Sequence, residues 1–251
     1  MTETLYGRQP LLECLRAGRR PLIKMWVQTG ARRIGPLADL LALARARQIA
    51  VGETDKRILD RMSQGGHHQG VVLEAEPYPF LDPETILTET AACGEAALFL
   101  LLDHLQDPQN LGSLLRSADA AGVHGVFLPR DRCADVTPAV VRASSGACEH
   151  LRIARVPNLR RTLLDLRERG VRVWGLEGDP AAQLYTETPL DGPVGLVVGS
   201  EGEGLTHAVR NACDGRIRIP MLGSVASLNA AIAGSIVLFH IRARRTPPGR
   251  P

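Results

Sequence analysis

The stretch DPQNLGSLLR (107–116) carries two polar residues of types that can orient a ligand. Asn110 sits at a position suited to a helix cap, and Arg116 follows six residues later in a helix of otherwise small and apolar residues. An amide can bind a ligand as donor and acceptor, and a guanidinium can stabilise developing negative charge. An ordinary capped turn followed by a solvated arginine is the alternative interpretation.

A second candidate loop is LVVGSEGEGL (196–205), in which an apolar strand runs into glycines with Glu201 and Glu203. Glycine-rich loops after strands often hold phosphates through backbone N–H groups. Here the glycine spacing is not G-x-G-x-x-G, no P-loop lysine follows, and two carboxylates would repel a phosphate. A neutral or cationic ligand such as the sulfonium cofactor S-adenosylmethionine therefore fits better, with a tight surface turn as the alternative.

The third candidate is IPMLGSVASLNAA (219–231), where a short strand meets small and polar residues before a helix. Ser227 and Asn229 are residue types that cap helices. The stretch is not G-x-S-x-G and has no suitable Ser/His/Asp order around it, so a nucleophilic serine is not indicated. Hydrogen bonding to a substrate stays open as a second role.

The elements that must position these loops alternate between apolar strands and helices from residue 97 onward. Continuous apolar runs such as ALFLLLD (97–103) are typical of buried parallel strands, so we expect an α/β fold with a parallel sheet covered on both faces. Ligands bind at the carboxyl ends of such strands, which is where all three loops lie. The last helix is predicted at Ala226–Arg244.

Residues 1–76 show a similar alternation and predict a smaller α/β domain. Pro77, Pro79 and Pro83 then indicate a linker over 77–96 with one helical turn. The main domain is predicted at 97–246, and a basic tail at 247–251.

Composition narrows the function classes. A chain of 251 residues with 44% hydrophobic content suits one large or two modest globular domains. Its apolar runs are shorter than the roughly 18–20 residues of a membrane span, and its start lacks a signal peptide pattern, so we expect a cytoplasmic protein. The five cysteines are scattered without a C-x-x-C pair, which indicates neither a disulfide framework nor a metal site.

Charge is uneven although the net value is only +3. Both ends are basic and the middle is acidic, and only Lys24 and Lys56 among the 30 basic residues are not arginine. Arginine suits bidentate contacts to phosphates and bases, so RNA is a plausible partner. A GC-rich genome would produce the same bias.

Together the three loops resemble the three motifs of the SPOUT methyltransferases of the SpoU type, which transfer methyl from S-adenosylmethionine to a ribose 2′-hydroxyl in RNA. The resemblance covers Leu98 to Arg244. LYGRQPLLECL and HHQGVVLEA (67–75) are also similar to the family's substrate-binding domain. The resemblance implies a C-terminal deep trefoil knot that forms the cofactor pocket, an L7Ae/L30-like N-terminal domain that binds RNA, and a homodimer.

The resemblance also implies roles for particular residues. Those matching the catalytic positions of the motifs are Asn110, Arg116, Glu201, Ser227 and Asn229. Those matching the cofactor-binding positions are Gly199, Ile219, Met221, Gly223 and Leu228. The chain departs from the family pattern at Ala230 and Ala231, where valine and serine are expected.

The reaction implied is an in-line displacement that requires no metal. Since a guanidinium has no acceptor, we expect Arg116 to hold a phosphate and stabilise the developing alkoxide rather than take the proton. The substrate implied is a guanosine of 23S ribosomal RNA. The alternatives are transfer RNA, another ribosomal site, or a non-catalytic RNA-binding role. For His67 and His68 a structural or RNA-contact role is expected rather than catalysis.

Overall fold

The computed structural model describes residues 2–225 and 227–245. Ala226 and the predicted tail 247–251 lie outside the described residues. The last helix was predicted at Ala226–Arg244, whereas the structure has it at Ala230–Arg245, because the Asn229 side chain caps its first turn. The chain forms two compact units. The first comprises Met1–Pro79 and Asp135–His150, and the second comprises Phe80–Ala134 and Leu151–Pro251.

The first unit is built on a four-stranded mixed sheet of order β1-β4-β2-β3. Strand β4 pairs antiparallel with β1 and β2, while β2 and β3 are parallel. Its elements are β1 (Glu3–Tyr6), α1 (Arg8–Ala17), β2 (Leu22–Gln28), α2 (Pro36–Ala46), β3 (Ala50–Thr54), α3 (Lys56–Met62), β4 (Val71–Ala75) and α6 (Pro138–Ala143).

The second unit is built on a seven-stranded sheet of order β7-β6-β5-β10-β8-β11-β9, in which every pairing is parallel. The prediction of an α/β fold with a parallel sheet is thus confirmed. Its elements are α4 (Pro83–Ala92), β5 (Leu98–Asp103), α5 (Pro108–Ala120), β6 (Gly125–Pro129), β7 (Ile153–Val156), α7 (Leu159–Glu168), β8 (Arg172–Leu176), β9 (Gln183–Leu184), β10 (Val194–Gly199), α8 (His207–Arg210), β11 (Gly215–Arg218) and α9 (Ala230–Arg245).

The segment Asp135–His150 falls in the first unit although the sequence placed it within the domain 97–246. Its contacts explain the difference. Glu149 is fully buried and forms an ion pair of 2.7 Å with the buried Arg20, and the Tyr78 hydroxyl donates to the Cys148 carbonyl at 3.0 Å. Burial of that carboxylate without its arginine would be costly, so the pair fixes the segment in the first unit.

The predicted linker 77–96 also differs from the structure, because α4 is a helix of 10 residues rather than one turn. Ile86 of this helix is fully buried in the core of the second unit. It packs where Gly125 leaves room, since a Cβ at that glycine would lie 2.3 Å from the Ile86 Cγ2 atom. The Asp82 side chain caps the helix by accepting the Glu84 N–H at 2.9 Å, and the apolar contact of Ile86 holds the helix on the core.

Helix α9 packs closely enough to place its first turn at the end of β10. A Cβ on Gly234 would lie 2.9 Å from Leu114 Cδ1 of α5 and 3.1 Å from Val198 Cγ2 of β10. Glycine therefore permits the approach of helix to sheet. The start of α9 and the carboxyl ends of the central strands consequently line one region of the unit.

Candidate functional site

The first cavity of the second unit has a volume of about 490 Å³. It lies where β8, β10 and β11 end and α9 begins. Its lining combines glycine backbone with apolar side chains, with two carboxylates at Glu177 and Glu201. The predicted cofactor residues that line it are Gly199, Ile219, Met221 and Leu228.

The loop after β10 folds back on itself beside this cavity. Ser200 and Gly204 exchange two backbone hydrogen bonds, of 3.2 and 3.1 Å. A Cβ on Gly199 would lie 2.3 Å from the Gly204 carbonyl carbon, so the closed loop requires glycine there. The tight turn that the sequence offered as an alternative is therefore present, and it holds Glu201 at the cavity.

Three side chains meet at this loop and form what we call the amide–carboxylate cluster: Asn110, Glu201 and Asn229. Asn229 Nδ2 donates to Asn110 Oδ1 and to Glu201 Oε1, each at 2.8 Å, and Asn110 Nδ2 also donates to Glu201 Oε1. The loops that carry the three predicted motifs therefore meet in space. Each motif contributes one member of the cluster.

Helix α9 determines which way the side-chain amide of Asn229 points, and through the bond from Asn229 Nδ2 to Asn110 Oδ1 it also determines the orientation of the Asn110 amide. Asn229 Oδ1 accepts from the N–H groups of Ala231 at 2.9 Å and Ile232 at 3.2 Å. Because a backbone N–H only donates, the oxygen of Asn229 must face the helix and its nitrogen the cluster. Asn229 is thus the N-cap of α9, as its residue type predicted, and simultaneously a donor to the carboxylate.

The structure corrects the prediction that Asn110 caps the helix. The structure begins α5 at Pro108, and the Asp107 side chain caps it by accepting from the Gln109 N–H at 2.9 Å. Asn110 lies in the first turn with its side chain turned inward, 8% exposed. Its amide is therefore available to the cluster instead of the helix end.

A second cavity, of about 470 Å³, adjoins the first and shares Ser200 and Glu201 with it. Asn110 also lines this second cavity. The remaining lining residues are His104, Leu105, Gln106, Asp107, Arg132, Glu203 and Thr206. The amide–carboxylate cluster thus stands at the boundary between an apolar, glycine-lined cavity and a polar one.

Two predicted residues are not among the described residues that line either cavity. Gly223 lies in the loop between Met221 and Leu228 but does not line the first cavity. Arg116 lies on the exposed side of α5. Ser227 lines the first cavity and is exposed.

Sequence reasoning missed several lining residues. Glu177 follows the apolar strand β8, and its side chain is 5% exposed and pairs with Arg210 at 2.7 Å. Its sequence signal is its position directly after the strand β8. Gly178 and His104 also line the cavities, and no motif pointed to them.

The first unit has its own cavity of about 820 Å³ near the loop 65–70. Arg8, Arg32 and Lys56 line it together with a single carboxylate, that of Asp60. His68 is buried and bonds Asp60 Oδ1 through Nε2 at 2.9 Å while its Nδ1 accepts the Gly70 N–H at 3.0 Å. These contacts give His68 a structural position in the loop, whereas His67 is exposed at the cavity.

The first cavity fits S-adenosylmethionine by size and chemistry. Ligand cavities commonly measure about 300–1,000 Å³, and its volume lies in that range. A Cβ on Gly178, Gly202 or Gly204 would meet nothing within 4 Å, so backbone is open to a ligand there. Apolar side chains suit a base and an aliphatic chain, and the carboxylates suit a sulfonium. Among the described residues no group of His, Cys, Asp or Glu is arranged to hold a metal ion.

The cavity lies at the carboxyl ends of parallel strands, where α/β proteins bind their ligands. The comparisons with known proteins identify the class. Residues 97–239 match the SpoU rRNA Methylase family, and residues 4–81 match the family described as RNA 2′-O ribose methyltransferase substrate binding.

Relatives and solved structures agree with this match. An uncharacterized tRNA/rRNA methyltransferase of Mycobacterium avium is 43% identical over 97% of this chain and 78% of its own length. The SpoU methyltransferase AviRb of Streptomyces viridochromogenes, solved with AdoMet, has a TM-score of 0.79 at 26% identity over 97% of this chain and 90% of its own. An RNA methyltransferase of the TrmH family from Porphyromonas gingivalis, described as putative, has a TM-score of 0.75 at 30% identity, with the same two coverages.

The chain belongs to the SpoU rRNA methylase family, and the resemblance seen in its motifs is confirmed. It is an RNA 2′-O-ribose methyltransferase by class. None of the helices in the described part of the chain has the length and apolar content needed to cross a membrane.

Proposed function

We propose that the chain uses S-adenosylmethionine to methylate the 2′-hydroxyl of a guanosine ribose in 23S ribosomal RNA. The observation that carries the proposal is the amide–carboxylate cluster at the boundary of the two cavities, because a methyl donor and a ribose must meet between their sites. The first cavity would hold the cofactor and the second the target nucleoside. When bound, the cofactor supplies an electrophilic methyl group on a positively charged sulfur.

The residues of the cluster would position the reactants. Glu201 lines both cavities, and its carboxylate favours a cation in the first one. Asn110 and Asn229 hold that carboxylate through their amide hydrogens. Ser227 and Leu228 would close the cofactor side, together with Gly199, Ile219, Met221 and Gly223.

Arg116 is proposed to bind the phosphate beside the target ribose and to stabilise the alkoxide that develops there. Its exposed position on α5 supports a contact with RNA. We expect Arg116→Ala to leave the cofactor affinity unchanged, to weaken RNA binding modestly by the loss of one phosphate contact, and to lower kcat by much more than RNA binding. A loss confined to RNA binding would remove Arg116 from the chemical step.

The first unit is proposed to be the RNA-binding domain, L7Ae/L30-like in fold. The basic lining of its cavity, from Arg8, Arg32 and Lys56, supports phosphate binding. Substituting Lys56 and Arg32 by Gln should weaken RNA binding and reduce its dependence on salt. An unchanged salt dependence would contradict the assignment.

We also propose that the protein is a homodimer and that the enzyme acts in the cytoplasm. The domain 97–246 is proposed to contain a deep trefoil knot. Exposed apolar side chains on one face of α9 support self-association, since Ile232 is 53% and Phe239 48% exposed and the two lie seven residues apart. Sedimentation should show a dimer that Phe239→Asp dissociates. A crystal structure traceable without a threaded loop would exclude the knot, and fractionation of cells tests the compartment.

The central experiment combines cofactor binding with RNA mapping. Ala233 lines the first cavity from helix α9, so Ala233→Leu should fill cofactor space without disfavouring the helix. Ala120→Leu on the exposed end of α5 is the matched control. Calorimetry should show S-adenosylmethionine binding to the wild type and the control, weakened at least about tenfold in Ala233→Leu, a loss of about 1.4 kcal/mol.

Mapping then separates the candidate substrates. We expect purified enzyme to place a 2′-O-methyl group in a large-subunit ribosomal RNA fragment and not in transfer RNA. Methylation of transfer RNA alone would favour the alternative substrate. Absence of cofactor binding by the wild type would favour a non-catalytic RNA-binding protein.

A further inference from the structure

A histidine and a buried aspartate form a pair in the wall of the second cavity. His104 Nδ1 lies 2.6 Å from Asp103 Oδ1, and Asp103 Oδ2 accepts the Thr206 N–H at 2.7 Å. Asp103 is fully buried, whereas His104 lines the cavity and is partly exposed. The aspartate is therefore held from two sides while the imidazole faces open space.

The pairing fixes the protonation pattern of the imidazole. When the Asp103 carboxylate is ionised it can only accept, so His104 Nδ1 then carries the hydrogen and Nε2 keeps its lone pair. A carboxylate in this position orients the ring and stabilises the imidazolium that forms when Nε2 takes a proton. The pair thus has the composition of a general base with its positioning group.

The backbone at His104 supports a functional rather than an incidental position. His104 has φ of 60°, in the left-handed region that residues other than glycine seldom adopt. Such conformations persist where the surroundings enforce them and are frequent at functional sites. The side chain of this residue is held by its bond to Asp103, which is the last residue of β5.

The pair is adjacent to the proposed site of methyl transfer. Asp103 is the register partner of Gly199 across β5 and β10, and neighbouring strands lie about 4.8 Å apart. Gly199 lines the first cavity, and the next two residues, Ser200 and Glu201, line both cavities. His104 therefore stands on the ribose side of the same boundary.

Other groups around the second cavity suit the task less. The remaining charged side chains in its lining are Asp107, Arg132, Glu201 and Glu203. Arginine has no acceptor, Asp107 caps α5, and Glu201 Oε1 already accepts two amide hydrogens. Among the described residues, no hydrogen-bonding partner orients the Glu203 carboxylate in the way that Asp103 orients the imidazole of His104.

We propose that His104 is the general base that removes the proton from the ribose 2′-hydroxyl, with Asp103 as its positioning residue. This inference rests on the proposed function. The 2′-oxygen forms a bond to the methyl carbon, the carbon–sulfur bond breaks with its electron pair going to sulfur, and the hydroxyl proton passes to His104 Nε2. The products are the 2′-O-methyl ribose, the neutral thioether and an imidazolium that later returns its proton to water.

The principal test replaces the imidazole by a side chain that tolerates the same backbone. Asn adopts the left-handed region readily, so His104→Asn should fold while removing the base. Gln48→Asn, at another left-handed residue with φ of 58° in the first unit, is the matched control. We expect kcat to fall about 10²- to 10⁴-fold in His104→Asn only, with both KM values unchanged.

Three further readouts separate a base from a structural residue. The wild-type rate should decline at acidic pH, where the base is protonated, and this decline should be absent from the residual rate of His104→Asn. His104→Gly leaves space and tolerates the backbone, so added imidazole should restore its rate in proportion to concentration. Nitrogen NMR of histidine-labelled wild type should show the Nδ1–H tautomer at His104.

The outcomes distinguish this inference from the proposed function. If the wild type fails to bind S-adenosylmethionine, the proposed function and the inference both fail. If the wild type methylates RNA but His104→Asn keeps its rate and its acidic decline, the inference alone is overturned. An Nε2–H tautomer, or loss of the acidic decline in Glu201→Gln instead, would overturn it as well.

Discussion

Asn229 has two separable tasks, and substitutions at this residue should separate them in energy. Its oxygen caps α9 and its nitrogen donates to Glu201 and Asn110. Loss of an N-cap costs about 1 kcal/mol. Loss of a hydrogen bond to a charged group costs about 1.5–3 kcal/mol; because Glu201 and Asn229 are exposed, we take about 1.5 kcal/mol for the two bonds of the nitrogen together.

Three variants follow from this arithmetic. Asn229→Ala loses both tasks and should lower the free energy of unfolding by about 2.5 kcal/mol. Asn229→Ser keeps a capping oxygen and should lose only about 1.5 kcal/mol. Asn229→Asp also keeps the cap but places a carboxylate oxygen where an amide now lies 2.8 Å from Glu201 Oε1, so repulsion should make it less stable than the serine variant.

Urea denaturation measured by fluorescence provides the assay. The chain has two tryptophans, Trp26 in the first unit and Trp174 in the second, so a Trp26→Phe background reports the second unit alone. The double variant Asn229→Asp with Glu201→Gln should recover part of the loss, because a glutamine can donate to the new carboxylate. Equal stability of the Ser and Ala variants, or of the Asp and Ser variants, would refute the two-task assignment.

Two further predictions concern the second unit. Burial lowers the pKa of His124, although the negative charge of Glu95 acts in the opposite direction. His124 therefore binds a proton more weakly in the folded chain than in the unfolded chain. Stability should therefore be lost as the pH falls below about 6.5, the ordinary pKa of histidine. Urea midpoints measured from pH 7.5 to 5 should fall less in His124→Asn than in the wild type. An equal fall in both would exclude this histidine as the cause. Gly234→Val should cost about 1–3 kcal/mol by crowding Leu114 and Val198, whereas Gly234→Ala should cost less because helix propensity offsets about 1 kcal/mol; a valine variant with an unchanged urea midpoint would contradict the packing.

Much of the fold was predictable because its central strands are buried on both faces. All residues of β5 and β10 are buried, and such strands appear in the sequence as unbroken apolar runs. Two strands escaped prediction for the opposite reason. β1 has four residues of which one is buried, and β9 has two residues, so neither produces a periodic signal.

The meeting of the three motif loops was also predictable, since parallel strands bring their carboxyl ends to one edge. The hydrogen bonds within the site were not. Both the cap expected at Asn110 and the cap found at Asp107 are allowed by residue type, and only the start of α5 decides between them. The sequence reasoning expected that Arg116 could face the site together with Asn110, but six residues of helix rotate by about 240° net, and the structure has Asn110 buried and Arg116 exposed.

The polar residues of this site also complete the backbone hydrogen bonding of the fold. Asn229 accepts from the first N–H groups of α9, and Asp103 accepts the Thr206 N–H after the loop that carries Glu201. Buried backbone groups must be paired, so these contacts are required whether or not a ligand is bound. The orientation of the site is therefore set before substrate arrives, which is the preorganisation that transition-state stabilisation needs. A substitution at either residue will lower stability together with activity, and His104→Asn removes one partner of the buried Asp103 carboxylate, so its urea midpoint has to be measured beside its kcat.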